Sequence, residues 1–250
     1  MGSLYADDVL QIARNFLGYH EGSNNWTIFS KVLDDCGYFS PQKKQNQPWC
    51  AIFCDFCCEQ AAIPSDRPDK TKKYDAQYFL YQPSYKNYSA GAKEFADYFK
   101  AAGAWYTSKP QVGDMCFFYV NGSIGHVGII EDTDEYITTI EGNAGDQVQR
   151  KWYSYSDGKI AGYGRPRYDG LINPANNNHE PDVDPAPEPT DNKYKVSVNS
   201  YLTIRTGAST LSPSVGKLFD GAIVSVLEEK DGWGRISGNC WVCMDYLIKP

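Results

Sequence analysis

With 250 residues, 42% of them hydrophobic and 22% charged, the chain can fold as one large domain or as a medium domain joined to a small one. A formal net charge of −7 without any Lys/Arg cluster argues against nucleic acid as a partner. No apolar run approaches the roughly 20 residues that a membrane helix needs, and Met1 to Asp8 lacks the basic and apolar regions of a signal peptide, so a protein made in the cytoplasm with no membrane span is expected.

In chain order, Ala6 to Phe16 places Val9, Ile12, Ala13 and Phe16 at helical spacing, with Asp7 and Asp8 suited to the positive end of the helix dipole. Trp26 to Leu33 is a weaker helix. Pro48 to Ile63 has almost no polar face and is expected to be buried. A further helix is expected from Ala92 to Ala102. After Pro110 the period changes to alternation: Asp114 to Val120, His126 to Glu131 and Tyr136 to Glu141 read as strands, with Tyr163 to Tyr168 closing the series. Helices followed by an antiparallel sheet make an α+β domain.

Residues 170–193, GLINPANNNHEPDVDPAPEPTDNK, carry five prolines among acidic residues and read as a semi-rigid linker. They divide the chain into a first domain at 4–169 and a second at 194–250. In the latter, Leu202 to Arg205, Ala222 to Leu227, Trp233 to Ile236 and Trp241 to Met244 read as short strands of a small all-β barrel.

The eight cysteines do not suggest a secreted disulfide framework, and free thiols are expected. Cys50 follows Pro48-Trp49 at the start of the buried helix, where unpaired amides and the dipole favour a thiolate, the nucleophilic form. Cys54 and Cys57 follow it at i+4 and i+7 and read as core. Of the three histidines, His179 lies in the linker and His20 near the end of the first helix; His126 opens the strand HVGII. The following strand ends in Glu141-Gly142-Asn143, which supplies two candidates for the group that orients an imidazole. If the two strands pair as a hairpin, Glu141 comes near His126.

Gln47-Pro48-Trp49-Cys50-Ala51, Gly113-Asp114, Gly125-His126-Val127-Gly128 and Glu141-Gly142-Asn143, in this order, resemble the CHAP family of cysteine, histidine-dependent amidohydrolases/peptidases. The resemblance implies a papain-like, NlpC/P60-like α+β fold, with Cys50 as nucleophile, His126 as general base and Glu141 and Asn143 as orienting positions. Gln47 would contribute to an oxyanion site. Some members bind calcium through an aspartate-rich loop before the cysteine; here Ser40 to Gln47 has no carboxylate, so neither calcium nor any other cofactor is expected. Residues 194–250 resemble a bacterial SH3 domain through Leu202 to Gly207, Val224 to Leu227, Gly232-Trp233-Gly234, Trp241-Val242 and Tyr246-Leu247. Trp233, Trp241 and Tyr246 would supply its cell-wall contacts.

Together these resemblances imply a monomeric peptidoglycan hydrolase of the endolysin or autolysin type, acting as N-acetylmuramoyl-L-alanine amidase or endopeptidase and reaching the wall after release, through a holin if phage-derived. A wall-binding protein without catalysis, or a papain-like protease acting on proteins, are the competing readings. Each residue also has a structural explanation. Cys50 could be one more buried thiol, His126 a satisfied structural histidine, Glu141 a surface acid and Asn143 a turn residue. Asp114 reads as a turn stabiliser. Cys54/Cys57 with Cys240/Cys243 have zinc-like spacing, but residues 240 and 243 of one strand point to opposite faces.

Overall fold

A computed structural model of the chain describes residues 3–62, 75–83, 90–172, 193–205, 207–212, 214–226, 228–236 and 240–249. The first part comprises α1 (Ala6–Arg14), α2 (Ile28–Asp35), α3 (Cys50–Ala62), α4 (Asp75–Phe79) and α5 (Ala92–Ala101). Six strands follow: β1 (Trp105–Tyr106), β2 (Met115–Val120), β3 (Ser123–Asp132), β4 (Ile137–Glu141), β5 (Gln149–Tyr153) and β6 (Ile160–Gly164). They form one antiparallel sheet in the order β1-β6-β2-β3-β4-β5, so this part is a mixture of helices and antiparallel sheet, consistent with a papain-like α+β fold.

Alternation along the strands gives the sheet two faces. Met115, Phe117, Val127, Ile129 and Ile140 join the core shared with the helices. Cys116, Phe118, Ile130, Ile137 and Tyr163 form a second, smaller cluster on the other face. The helix α3 has eleven of its residues buried because α1, α2, α4, α5 and β3 all pack around it, which explains its lack of a polar face. Around its first turns Phe16, Tyr19, Phe29, Trp49, Phe53 and Phe56 interlock, several edge to face at centroid separations of 5.0–6.5 Å. Each such fully buried side chain contributes roughly 1.5–3 kcal/mol of transfer free energy.

Local chemistry sets the element ends. Thr27 caps α2, its hydroxyl accepting the Ser30 amide at 3.1 Å. The start of α1 has no side-chain cap; the carbonyls of Gly170 and Leu171 accept the Ala6 and Asp7 amides at 3.2 and 3.0 Å. Asn121 and Gly122, both with positive φ, close the β2–β3 hairpin. Asp114 holds the turn before β2, accepting the Gln111 amide at 2.8 Å and two bonds from Arg165 at 2.9 Å, as a turn residue should.

The C-terminal strands are β7 (Lys193–Val196), β8 (Tyr201–Arg205), β9 (Ser214–Phe219), β10 (Ile223–Ser225), β11 (Glu228–Lys230), β12 (Trp233–Ile236), β13 (Cys240–Cys243) and β14 (Leu247–Ile248). Here the expectation of a small barrel is corrected. Among the described residues the strands make two antiparallel sheets, β11-β12-β13-β8-β9 and β10-β7-β14, and no ladder joins one to the other. The edge strand β11 is only three residues long and exposed throughout. Val196, Leu202, Ile204, Leu218, Ile236, Val242 and Leu247 fill the core of this part. It touches the first part at His20, whose amide donates to the Lys217 carbonyl at 3.4 Å. The expected linker, 170–193, lies outside the described residues except at its ends.

Candidate active site

Cys50 is the first residue of α3 and is 5% exposed. The first helical bond runs from the Phe53 amide to the Trp49 carbonyl at 2.9 Å, so the amides of residues 50–52 have no partner within the helix. The preceding segment is fixed from several sides. The Asp34 carboxylate accepts the Lys44 and Gln45 amides at 2.7 and 3.0 Å. The Gln45 side chain pairs with both the amide and the carbonyl of Thr27, at 3.0 and 2.9 Å. Trp49 is fully buried and its indole N–H donates to Glu21 at 2.5 Å.

On the sheet side, His126 stands opposite Phe118 across the β2–β3 pair, ring centroids 5.8 Å apart. Its Nε2 bonds Glu141 Oε2 at 2.8 Å. On its other side the imidazole faces Cys50, near enough for the thiol to act on its titration. With Nε2 occupied by Glu141, Nδ1 is the ring nitrogen left for the thiol. The hairpin register that pairs Ile129 with Ile140 brings Glu141 beside Gly128, where a Cβ on residue 128 would stand 2.5 Å from Glu141 Cγ. Gly142 is equally constrained: a Cβ there would lie 2.5 Å from that of Phe53 and 2.8 Å from the Trp49 ring. The absence of these two side chains lets the end of β4 press against α3 and β3, bringing the carboxylate to the imidazole on the side of the sheet that Cys50 approaches.

Burial disfavours a charged His126, but the hydrogen bonds and charges of Cys50 and Glu141 outweigh it and push the imidazole pKa up to about 10. Burial also disfavours a charged Glu141, yet its bonds to His126, Thr139 and Tyr153 hold its pKa below the ordinary carboxylate value. The thiols of Cys54, Cys57 and Cys58, deeper in α3, are pushed well up by burial and remain protonated. All eight cysteines are free.

Other candidates from sequence lie further out. Asn143, half-buried in the turn after β4 with φ +57°, makes no hydrogen bond to His126 among the described residues; of the two orienting candidates, it is Glu141 that meets the imidazole. Gln47 is exposed in the loop before α3. Trp233 and Trp241 are half-buried and share one face of β12–β13, while Tyr246 is 50% exposed. Among the described residues no group of three or more His, Cys, Asp or Glu is placed to hold a metal ion, and no helix is long and apolar enough to cross a membrane.

The sequence reading missed Thr139 and Tyr153, both of which donate to Glu141 Oε1, at 2.6 and 2.8 Å. Thr139 could have been found by counting back two residues from Glu141 to the same strand face. Tyr153 could not, because the strand carrying it was not expected.

Residues 42–143 match the CHAP domain family. The CHAP match takes in Cys50, His126, Glu141 and Asn143, and stops before β5. No curated protein matches the chain. Among solved structures it is similar to the crystal structure of Ly7917, at 16% identity and TM-score 0.41, with 95% of this chain and 91% of that one covered. It is also similar to Ly7917 with the hydrolyzing product of MDP, at 18% identity and TM-score 0.43, covering 95% and 92%.

Proposed function

We propose that this chain is a peptidoglycan hydrolase that cleaves an amide bond by a thiol mechanism. The observation that carries the reading is the line Cys50–His126–Glu141 at the start of α3, inside a segment matching the CHAP domain. Cys50 Sγ attacks the carbonyl carbon, forming a C–S bond and a tetrahedral oxyanion for which the partnerless amides at the start of α3 are the available donors. A Gln47 contribution requires its exposed side chain to turn inward on binding. The C–N bond breaks as His126 passes its Nδ1 proton to the leaving amine, giving a thioester. Neutral His126 then takes a proton from water, hydroxide attacks the thioester, and the thiolate leaves beside the recharged imidazole. Glu141 fixes the ring and balances its charge in both half-reactions, as the third member of such a triad does.

The C-terminal part is assigned to wall binding, with Trp233, Trp241 and Tyr246 as aromatic contacts. The protein acts after release to the wall, as an endolysin or autolysin. The test is digestion of purified walls followed by mass analysis of the fragments. Free lactyl ends with new L-alanine N-termini identify an amidase; new stem or bridge termini identify an endopeptidase. Cys50→Ala should abolish cleavage with the fold intact, whereas Cys54→Ala, in the core, should cost about 1 kcal/mol of stability and leave cleavage. Cleavage by Cys50→Ala at the normal rate would overturn the mechanism.

A further inference from the structure

Glu141 is 2% exposed, and a buried carboxylate must have its lone pairs satisfied. Its two oxygens divide the work. Oε2 bonds His126 at 2.8 Å, while Oε1 accepts the Thr139 hydroxyl at 2.6 Å and the Tyr153 hydroxyl at 2.8 Å. The terminal torsion of a glutamate is soft, so without the two donors on Oε1 little would prevent the carboxylate from rotating away from the imidazole. Tyr153 has a second connection. Its ring lies tilted against Phe118 with centroids 4.7 Å apart, and Phe118 in turn lies tilted against His126 at 5.8 Å. The contacts therefore close a ring: His126 to Glu141 to Tyr153 to Phe118 and back to His126.

We propose that Tyr153 is a positioning residue for the His126–Glu141 pair, its hydroxyl fixing one carboxylate oxygen while its ring, through Phe118, braces the imidazole. The proposal rests on reading Cys50, His126 and Glu141 as the catalytic line. Tyr153 lies on β5, outside the matched residues 42–143.

The charged and titratable groups around the ring act consistently. Burial and the Glu141 charge keep the Tyr153 phenol protonated and hence a donor. Cys116 on β2, pushed up by burial, is a neutral thiol. Asp157 adds a further negative charge near Tyr153, and Lys151, on the same strand, stands opposite Thr139. Cys50 approaches His126 from α3. Removing a donor from Oε1 makes the buried carboxylate harder to keep ionised, so its support of the charged imidazole weakens and His126 must release its proton at lower pH.

The experiment is Tyr153→Phe, which keeps the ring and deletes the hydroxyl. His126 is titrated by side-chain nitrogen NMR, Cys50 alkylation by iodoacetamide is followed against pH by peptide mass mapping, and kcat and KM are measured on soluble wall fragments. The expected result is a downward shift of the His126 titration and of the alkaline limb of alkylation, with kcat down about tenfold and KM unchanged. Thr139→Val, which removes the other donor to the same oxygen, should move the titration the same way and decides the matter if Tyr153→Phe does not fold. Tyr136→Phe, an exposed tyrosine, should change nothing. A folded Tyr153→Phe with an unmoved titration overturns the proposal, even if activity falls, because a purely structural role would leave His126 where it is. The NMR and alkylation measurements use no wall; a shifted titration in an enzyme inactive on walls sustains the positioning role and overturns the hydrolase reading instead.

Discussion

Replacing Glu141 by glutamine removes one charge while changing shape very little. The native carboxylate accepts three hydrogen bonds, one from His126 and two from Thr139 and Tyr153. Glutamine can point its amide oxygen at His126 only if its NH2 faces the two hydroxyls, which can rotate to accept, so the packing survives. What is lost is the charge assistance. A hydrogen bond to a charged group contributes roughly 1.5–3 kcal/mol against about 0.5–1.5 for a neutral one, a difference on the order of 1–2 kcal/mol. Since one pKa unit corresponds to about 1.4 kcal/mol, His126 should titrate roughly one unit lower in the variant. The sign is fixed by the direction of the native shift. His126 is raised from 6.5 to about 10, so its contribution to stability and to the charged resting state is complete below 6.5 and is lost as pH rises through 10. In Glu141→Gln that loss begins earlier, and the alkaline limb of Cys50 alkylation moves to lower pH. Wall hydrolysis near neutrality should fall on the order of tenfold to a hundredfold, as the imidazole loses both charge balance and orientation. An alkylation profile that overlays the native one, with hydrolysis within a factor of about two, would refute the assignment of Glu141 as the orienting group.

Gly128→Ala brings a methyl to 2.5 Å from Glu141 Cγ; it should cost about 1–3 kcal/mol in thermal melts and reduce hydrolysis, whereas a variant with native melting and native rate would show that β4 can yield. A chelator should leave activity unchanged, since the Asp34 carboxylate beside the loop before Cys50 is already spent on two backbone amides; loss with recovery on adding calcium would contradict this. Residues 1–172 alone should cleave soluble wall fragments at close to the full rate but lyse intact cells more slowly, while residues 193–250 should pellet with walls without cutting them. Turbidity and pull-down assays check both, and a C-terminal fragment that remains in the supernatant at every salt concentration removes the wall-binding role.

Where hydrophobic period and breakers agreed, the sequence located elements to within a few residues: α3 was expected from Pro48 and begins at Cys50, and α5 ends at Ala101, one residue short. The first helix, expected to Phe16, stops at Arg14 because Phe16 turns into the aromatic core. The strand expected from Tyr163 to Tyr168 instead runs Ile160–Gly164, since pairing with β2 and then Pro166 set its limits. The strand β5 escaped notice because Gln149, Arg150 and Lys151 are all long polar residues, so its alternating burial leaves no hydrophobic alternation in the sequence. The meeting of His126 with Glu141 was legible because a hairpin fixes register. The partners of Glu141 Oε1 were not, because one of them comes from that unexpected strand. In the C-terminal part individual strands were visible, whereas their division into two sheets depends on pairings between distant segments that no local pattern encodes.

The proposed catalytic residues sit on parts of the fold that open at different cost. Strand β3 pairs with β2 from Ser123 to Ile129 and with β4 from Ile129 to Asp132, so the amides of its buried stretch, residues 127–130, should exchange with solvent only through global unfolding, as should those of α3 beyond its first turn. Among the described residues β5 is an edge strand of its sheet, with Trp152 63% exposed. Its detachment would cost far less than unfolding, and would take Tyr153 from Glu141 while leaving Cys50 and His126 seated. Catalytic competence should therefore be lost on warming before the fold is, with hydrogen exchange in residues 149–153 marking the first step.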